Sequence, residues 1–198
     1  MVATAELTRE TIIPFLAEIF ARRGAEEYLG EPVSISEHML QGAQLAKDAG
    51  ATEEVIAAAL LHDVGHFTHD FPTDAADQGI DSQHEEAGAA ILAAHFPKVV
   101  VDCVRYHVAA KRYLCATDPA YFARLSEASV LSLKLQGGPM SKDEVQAFAD
   151  NPDLEAVLQV RIWDDEAKIP GKPTPGFAHY APLLQRVVDR HAATMEGV

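Results

Sequence analysis

An imidazole and a carboxylate side by side, His62-Asp63, follow a run of Ala, Val, Ile and Leu that leads from Glu53 to Leu61. An ionised Asp at the end of so apolar a segment carries a heavy desolvation cost, which a cation removes. Taken singly the dipeptide has a plainer reading, a histidine at a helix C-terminus beside a capping Asp. Other residues share its chemistry. His107 falls in line with Val100, Cys103 and Val104 on one helical face, where a histidine needs a hydrogen-bond partner or a metal. Asp164 shares a face with Val157, Val160 and Arg161, which fits a metal ligand or a buried Arg-Asp pair equally well. His38 and His84 each read as ordinary helical histidines when considered alone. Lys111, four residues after His107, and Arg161, three before Asp164, project from the same faces as those residues and can meet whatever they build.

The elements that must position these groups are helices. Apolar residues recur at intervals of three and four, and sustained period-two alternation is absent, so the class is all-α. The first helix is expected over 8–23, with Pro14 bending its start. A loop holding Tyr28, Gly30, Glu31 and Pro32 follows. Ser36 can cap a second helix that carries His38 and stops at Gly50, and Thr52 a third over 53–61 that delivers His62 and Asp63. The stretch 67–83, rich in Asp, reads as a long loop of the kind that is often functional. Helices are then expected over 83–96, 98–107, 119–125 after an Asp118 cap and 126–135. Ser141 and Glu144 form a capping-box pattern for the next, and helices over 153–164 and 177–191 complete the chain.

With 198 residues and 48% apolar composition, the chain is expected to form one domain over 1–198 with a substantial core. No apolar run approaches the roughly 20 residues of a membrane span, and the start MVATAELTRE lacks a signal-like core, so a cytoplasmic location is expected. Cys103 and Cys115 are too few for a disulfide framework. A formal charge of −14 argues against nucleic acid or an acidic membrane as partner, while leaving room for a small anion at a local basic pocket. Oligomeric state has no signature in the sequence.

The order His38, His62-Asp63 and a distant Asp164 is similar to the HD superfamily of metal-dependent phosphohydrolases, and the additional His84 and His107 resemble its two-metal branch. More specifically, the segments AALLHDVGH, HVAAKRYL, LSEASVLSLKLQGGPM and VRIWDDEAK resemble the mixed-valence diiron oxygenases that break carbon-phosphorus bonds in bacterial phosphonate catabolism. The resemblance implies one iron held by His38, His62 and Asp164, a second held by His84 and His107, and Asp63 bridging them. Such ligands suit iron, and by donor type alone would also accept Mn or Zn. It further implies a ferrous and a ferric ion, dioxygen as co-substrate, and a small zwitterionic hydroxyphosphonate whose double negative charge offsets the excess charge of the irons. Lys111, Ser129, Arg161 and His66 are assigned by resemblance to the phosphonate oxygens. His66 equally fits the role of orienting a ligand. Tyr28 and Glu31 match a Tyr-x-x-Glu loop that closes over the cluster, with Glu31 facing the substrate's ammonium. The remaining histidines, His69, His95, His179 and His191, are expected to be structural or exposed.

The family handles 1-hydroxy-2-aminoethylphosphonate, giving glycine, and its trimethylated counterpart, giving glycine betaine, and this chain resembles the second type more closely. A quaternary ammonium donates no hydrogen bond and favours aromatic faces and diffuse negative charge. Two other classes use the same framework: a two-metal phosphohydrolase, and an HD-like interaction domain that has lost its metals.

Overall fold

The computed structural model describes residues 7–28, 30–68 and 83–197, and among these the regular structure is helical. The helices are α1 (Ile12–Arg23), α2 (Ile35–Asp48), α3 (Glu53–Leu61), α4 (His84–Leu92), α5 (Lys98–Thr117), α6 (Pro119–Phe122), α7 (Glu127–Leu135), α8 (Lys142–Ala149), α9 (Leu154–Glu166) and α10 (Phe177–Glu196), with a 3-10 turn at Val64–Phe67. Of the acidic stretch expected as a loop, residues 69–82 lie outside the described residues, His69 among them.

Several boundaries differ from those the sequence suggests. Ser34, not Ser36, caps α2: its side chain accepts from the Glu37 amide while Glu37 returns to the Ser34 amide, a complete capping box. Pro14 falls within the first turn of α1, where a missing amide hydrogen breaks no intrahelical bond, so it is accommodated there. Helix α5 continues to Thr117, which puts His107 in its middle and Lys111 one turn on along the same buried face. Helix α4 stops at Leu92, well before Phe96, and α10 runs past His191.

Helix α3 is the centre of the packing, touching α2, α5, α9 and α10. Ala57, Ala58, Leu60 and Leu61 have no exposed surface, as expected for a segment apolar on all sides. Small residues let its neighbours close in. A side chain added at Gly42 of α2 would come within 3.2 Å of the Ala59 carbonyl oxygen. The 3-10 turn after α3 sits even closer to α4: a Cβ at Gly65 would overlap the His84 carbonyl oxygen and approach the Gly88 amide to 2.8 Å. Both obstacles are backbone and cannot swing aside. Gly65→Ala is therefore expected to push α4 away from the turn, lowering stability by about 3 kcal/mol in urea denaturation. An unchanged denaturation midpoint would show that this contact yields freely.

The loop between α1 and α2 is fixed by main-chain bonds. Glu27 and Ser34 form an isolated antiparallel bridge, the Tyr28 amide donates to the Val33 carbonyl at 3.2 Å, and the Glu31 amide closes a turn onto Tyr28 at 2.7 Å. Gly30 supplies the positive φ of that turn, +79°. Tyr28 and Glu31 are thus both held facing the interior, Tyr28 against His38 of α2 and Glu31 against Ser126 and Lys168.

Candidate metal centre

Helices α2, α3, α4, α5 and α9 each send side chains to one buried point. His38 (α2), His62 and Asp63 (end of α3), His84 (start of α4), His107 (α5) and Asp164 (α9) are all less than a tenth exposed. Asp63 divides the group in two. Its Oδ2 is 3.4 Å from Nε2 of both His38 and His62, and its Oδ1 is 3.2 Å from His84 Nε2 and 3.3 Å from His107 Nε2. Asp164 joins the first half, its Oδ1 lying 3.4 Å from His38 Nε2. Within each half the two imidazoles point their Nε2 atoms at each other across 3.0 Å.

The tautomers make these short separations informative. His38 Nδ1 donates to the Ala167 carbonyl at 3.0 Å, His62 Nδ1 to Ala59 at 2.9 Å, and His107 Nδ1 to Val104 at 2.7 Å. A neutral imidazole that donates through Nδ1 has a bare lone pair at Nε2. With these imidazoles neutral, the first half gathers two lone pairs beside the Asp63 and Asp164 oxygens, and His107 brings another to the second half. Both oxygens of Asp63 and Oδ1 of Asp164 are buried without a hydrogen-bond partner among the described residues. Such orphaned acceptors are costly unless a cation binds them. The donor geometry thus fits two metal ions, the groups His38, His62, Asp63 and Asp63, His84, His107 each bringing their ligand atoms within 4.8 Å of one another. The carboxylates favour positive charge at this point, whether a proton or a metal ion carries it: burial opposes a charge on His38, yet Asp164 and Asp63 outweigh it and raise its pKa to about 9.

An HD-domain profile matches residues 35–158. The chain is 56% identical over 187 residues, 94% of its own length and 95% of the relative's, to the [1-hydroxy-2-(trimethylamino)ethyl]phosphonate dioxygenase (glycine-betaine-forming) of Leisingera caerulea. The chain belongs to the HD-domain phosphonate dioxygenases. It is also 44% identical over 157 residues, 78% of each chain, to the hydroxymethylphosphonate dioxygenase of Gimesia maris. A third relative, an uncharacterised protein of Acanthamoeba polyphaga mimivirus, is 31% identical over 85% of this chain and 78% of its own.

Around the cluster of this phosphonate dioxygenase family member lie the groups that sequence reading assigned to substrate. The Tyr28 ring stacks on His38 with centroids 4.1 Å apart and planes 16° from parallel. His66 stacks on His84 at 4.0 Å, its buried Nε2 lacking a partner among the described residues, and burial together with the His84 charge holds it neutral. Lys111 is buried and donates to Ser132 Oγ at 2.7 Å. Burial, with the nearby Arg161 charge, lowers its pKa to about 7. Arg161 is more committed than the sequence implies. It donates to Asp164 Oδ2 at 2.6 Å and to both oxygens of Asp165, and its Nε also reaches the Tyr121 hydroxyl at 3.1 Å. The Arg pairing of Asp164 is therefore present, through Oδ2, and it leaves Oδ1 facing His38.

Glu31 does not stand open for a substrate. Its carboxylate accepts from Lys168 at 2.9 Å and from the Ser126 hydroxyl at 2.5 Å, and Lys168 also donates to Ser129 Oγ at 2.9 Å. Sequence reasoning missed Lys168, Ser126, Ser132 and the Tyr121-Asp165 pair. The i,i+4 spacing of Arg161 and Asp165 was a usable signal. Lys168 gave none, since it lies beyond the last residue of α9. Of the other histidines, His179 is exposed and pairs with Lys47, while His95 and His191 are partly exposed and remote from the centre.

Proposed function

We propose that this protein uses dioxygen to cleave the carbon-phosphorus bond of (R)-1-hydroxy-2-(trimethylammonio)ethylphosphonate, releasing glycine betaine and phosphate at a mixed-valence pair of irons. The observation that carries the choice of reaction is the identity of more than half over nearly the whole chain to a relative named for it. The reaction balances. The hydroxyl-bearing carbon becomes a carboxylate carbon, a four-electron oxidation matched by the four-electron reduction of dioxygen, and phosphorus leaves as phosphate at unchanged oxidation state.

His38, His62 and Asp164 would hold one iron and His84 and His107 the other, with Asp63 between. Bound there, a ferrous and a ferric ion would supply dioxygen activation and Lewis acidity toward the substrate's oxygens. The half built from His84, His107 and Asp63 has one protein ligand fewer, which leaves it more positions for an incoming molecule. The protein's own groups position the substrate. Lys111, Ser129 and Arg161 converge on the phosphonate, where ammonium and guanidinium donors form charge-assisted bonds. His66, held neutral, can donate or accept at the same oxygens without adding charge. Tyr28, lying flat on His38, screens the centre from water and offers an aromatic face to a quaternary ammonium.

Phosphate release from the hydroxyphosphonate by iron-loaded protein, followed with and without dioxygen, tests the proposal. Release only with dioxygen is expected. Release without it would point to a phosphohydrolase, and release only from the primary-amine analogue would move the specificity to glycine formation. A pH dependence accompanies the reading. Lys111 is cationic below its pKa of about 7 and neutral above it, so if it binds the phosphonate as a cation, kcat/KM falls as pH rises through that value. Lys111→Met should remove this alkaline limb and lower kcat/KM by roughly a hundredfold. An alkaline limb that survives the substitution belongs to another group.

A further inference from the structure

Lys168 is nearly buried, its side chain 12% exposed beside a Glu31 that is 7% exposed. A lysine gives up water only where partners replace it. Its ammonium touches Glu31 and Ser129, each at 2.9 Å, and stands 6.0 Å from the centre of the Tyr28 ring. Glu31 and Tyr28 therefore already hold a cation, in the setting of carboxylate and aromatic face that suits a quaternary ammonium. The other contact of Lys168, Ser129, leads to the anion-binding side. Lys111 donates to Ser132 Oγ, which in turn donates to the Ser129 carbonyl at 3.1 Å. Arg161 is occupied by two carboxylates, whereas Lys111 has no ion-pair partner among the described residues.

Resting on the hydroxyphosphonate reading above, we infer that Lys168 is an exchangeable internal cation: the substrate's quaternary ammonium displaces it from Glu31 and Tyr28, and its own ammonium turns on Ser129 to meet the phosphonate. One internal ion pair is exchanged for two, one at each end of the substrate, and no buried charge is left alone. A phosphonate without a cationic end completes only half of this exchange. It draws Lys168 away and strands Glu31 as a buried, unpaired carboxylate, the arrangement that low-dielectric surroundings punish most. The Glu31-Lys168 pair thereby selects zwitterions, although a quaternary ammonium can form no hydrogen bond with either residue.

The test is anaerobic calorimetric titration of metal-loaded protein with the trimethylammonio substrate and, separately, with hydroxymethylphosphonate, each variant first being checked for a cooperative thermal melt well above the titration temperature. Lys168→Met should weaken hydroxymethylphosphonate roughly tenfold and the zwitterion less, because the ammonium then meets Glu31 without displacing a lysine, and Lys168→Arg should restore part of the loss. Glu31→Gln should weaken the zwitterion about tenfold while hydroxymethylphosphonate binds as well as before or better, because no charge is stranded. Wild-type affinity for both ligands in Lys168→Met would overturn the exchange. Equal weakening of both ligands in Glu31→Gln would do the same, marking the pair as structural. Wild-type protein that binds neither phosphonate would overturn the functional reading and the exchange together.

Discussion

Asp63→Asn is expected to leave the fold standing and abolish turnover, with a loss of at least ~10³-fold and a fall in bound metal from two ions per chain to one or fewer. Among the described residues, Asp63 is the one whose two oxygens face different histidine pairs, at 3.2–3.4 Å. An amide keeps the shape but replaces one of those oxygens with a donor and removes the negative charge. The half given the NH2 group then presents a proton where a cation belongs, and the two sites lose the anion that screens them from each other. Metal content by elemental analysis after dialysis, together with far-UV circular dichroism, separates this outcome from unfolding. Two tightly held metals in the variant would mean that Asp63 does not bridge.

Removing the Arg161 guanidinium should have the second large effect, this time on stability as well as on rate. The group is buried against Asp164 and Asp165 and touches the Tyr121 hydroxyl. Asp164 lies where burial disfavours charge, and the Arg161 charge, with the His38 and His62 imidazoles, overcomes burial and holds its pKa well below the usual range. Arg161→Met strips the buried Asp164 and the part-buried Asp165 of their shared counter-charge and is expected to cost about 3 kcal/mol in urea denaturation. Adding Asp165→Asn should recover part of that loss, because the second substitution removes one of the stranded charges. If the double variant is less stable than the sum of the single variants, Asp165 earns its place through Tyr121 and not through Arg161. The sign with pH is also fixed. An acid with a depressed folded-state pKa contributes stability that is fully present above its unfolded pKa and is lost as pH falls toward the folded one. Wild-type protein should lose this contribution on acidification, and Arg161→Met should show a flatter acid limb.

What could be read from the sequence follows the range of the interactions involved. Helix α3 and its terminal His62-Asp63 were legible because burial on all sides leaves a composition signal. The pairing of His107 with Lys111 was legible because helical spacing alone sets it. The α2 cap was misplaced although the information was present: Ser34 has Glu37 three residues on, the capping-box pattern, while the corresponding position after Ser36 is Met39. Helix α5 runs past the expected end at 107 because no glycine or proline breaks the run up to Asp118. Lys168 and Ser126 lay beyond reach for another reason. They meet Glu31 across separations of 137 and 95 residues, and no periodicity encodes a contact between a loop, a helix cap and the residues after a helix.

The two halves of the cluster draw their ligands from very different lengths of chain. Asp63, His84 and His107 fall within one continuous stretch, and His62 and His107 take their orienting hydrogen bonds from carbonyls three residues back in their own chain segments. His38, by contrast, is oriented by the carbonyl of Ala167, 129 residues away, next to the helix that brings Asp164. Closing so long a span costs more chain entropy than closing the shorter one. The Asp63, His84 and His107 group is therefore complete in sequence by the end of α5, whereas the His38 side gains its orienting Ala167 carbonyl and the Asp164 carboxylate only from the far end of the chain, so the two halves of one centre answer to local and to global folding respectively.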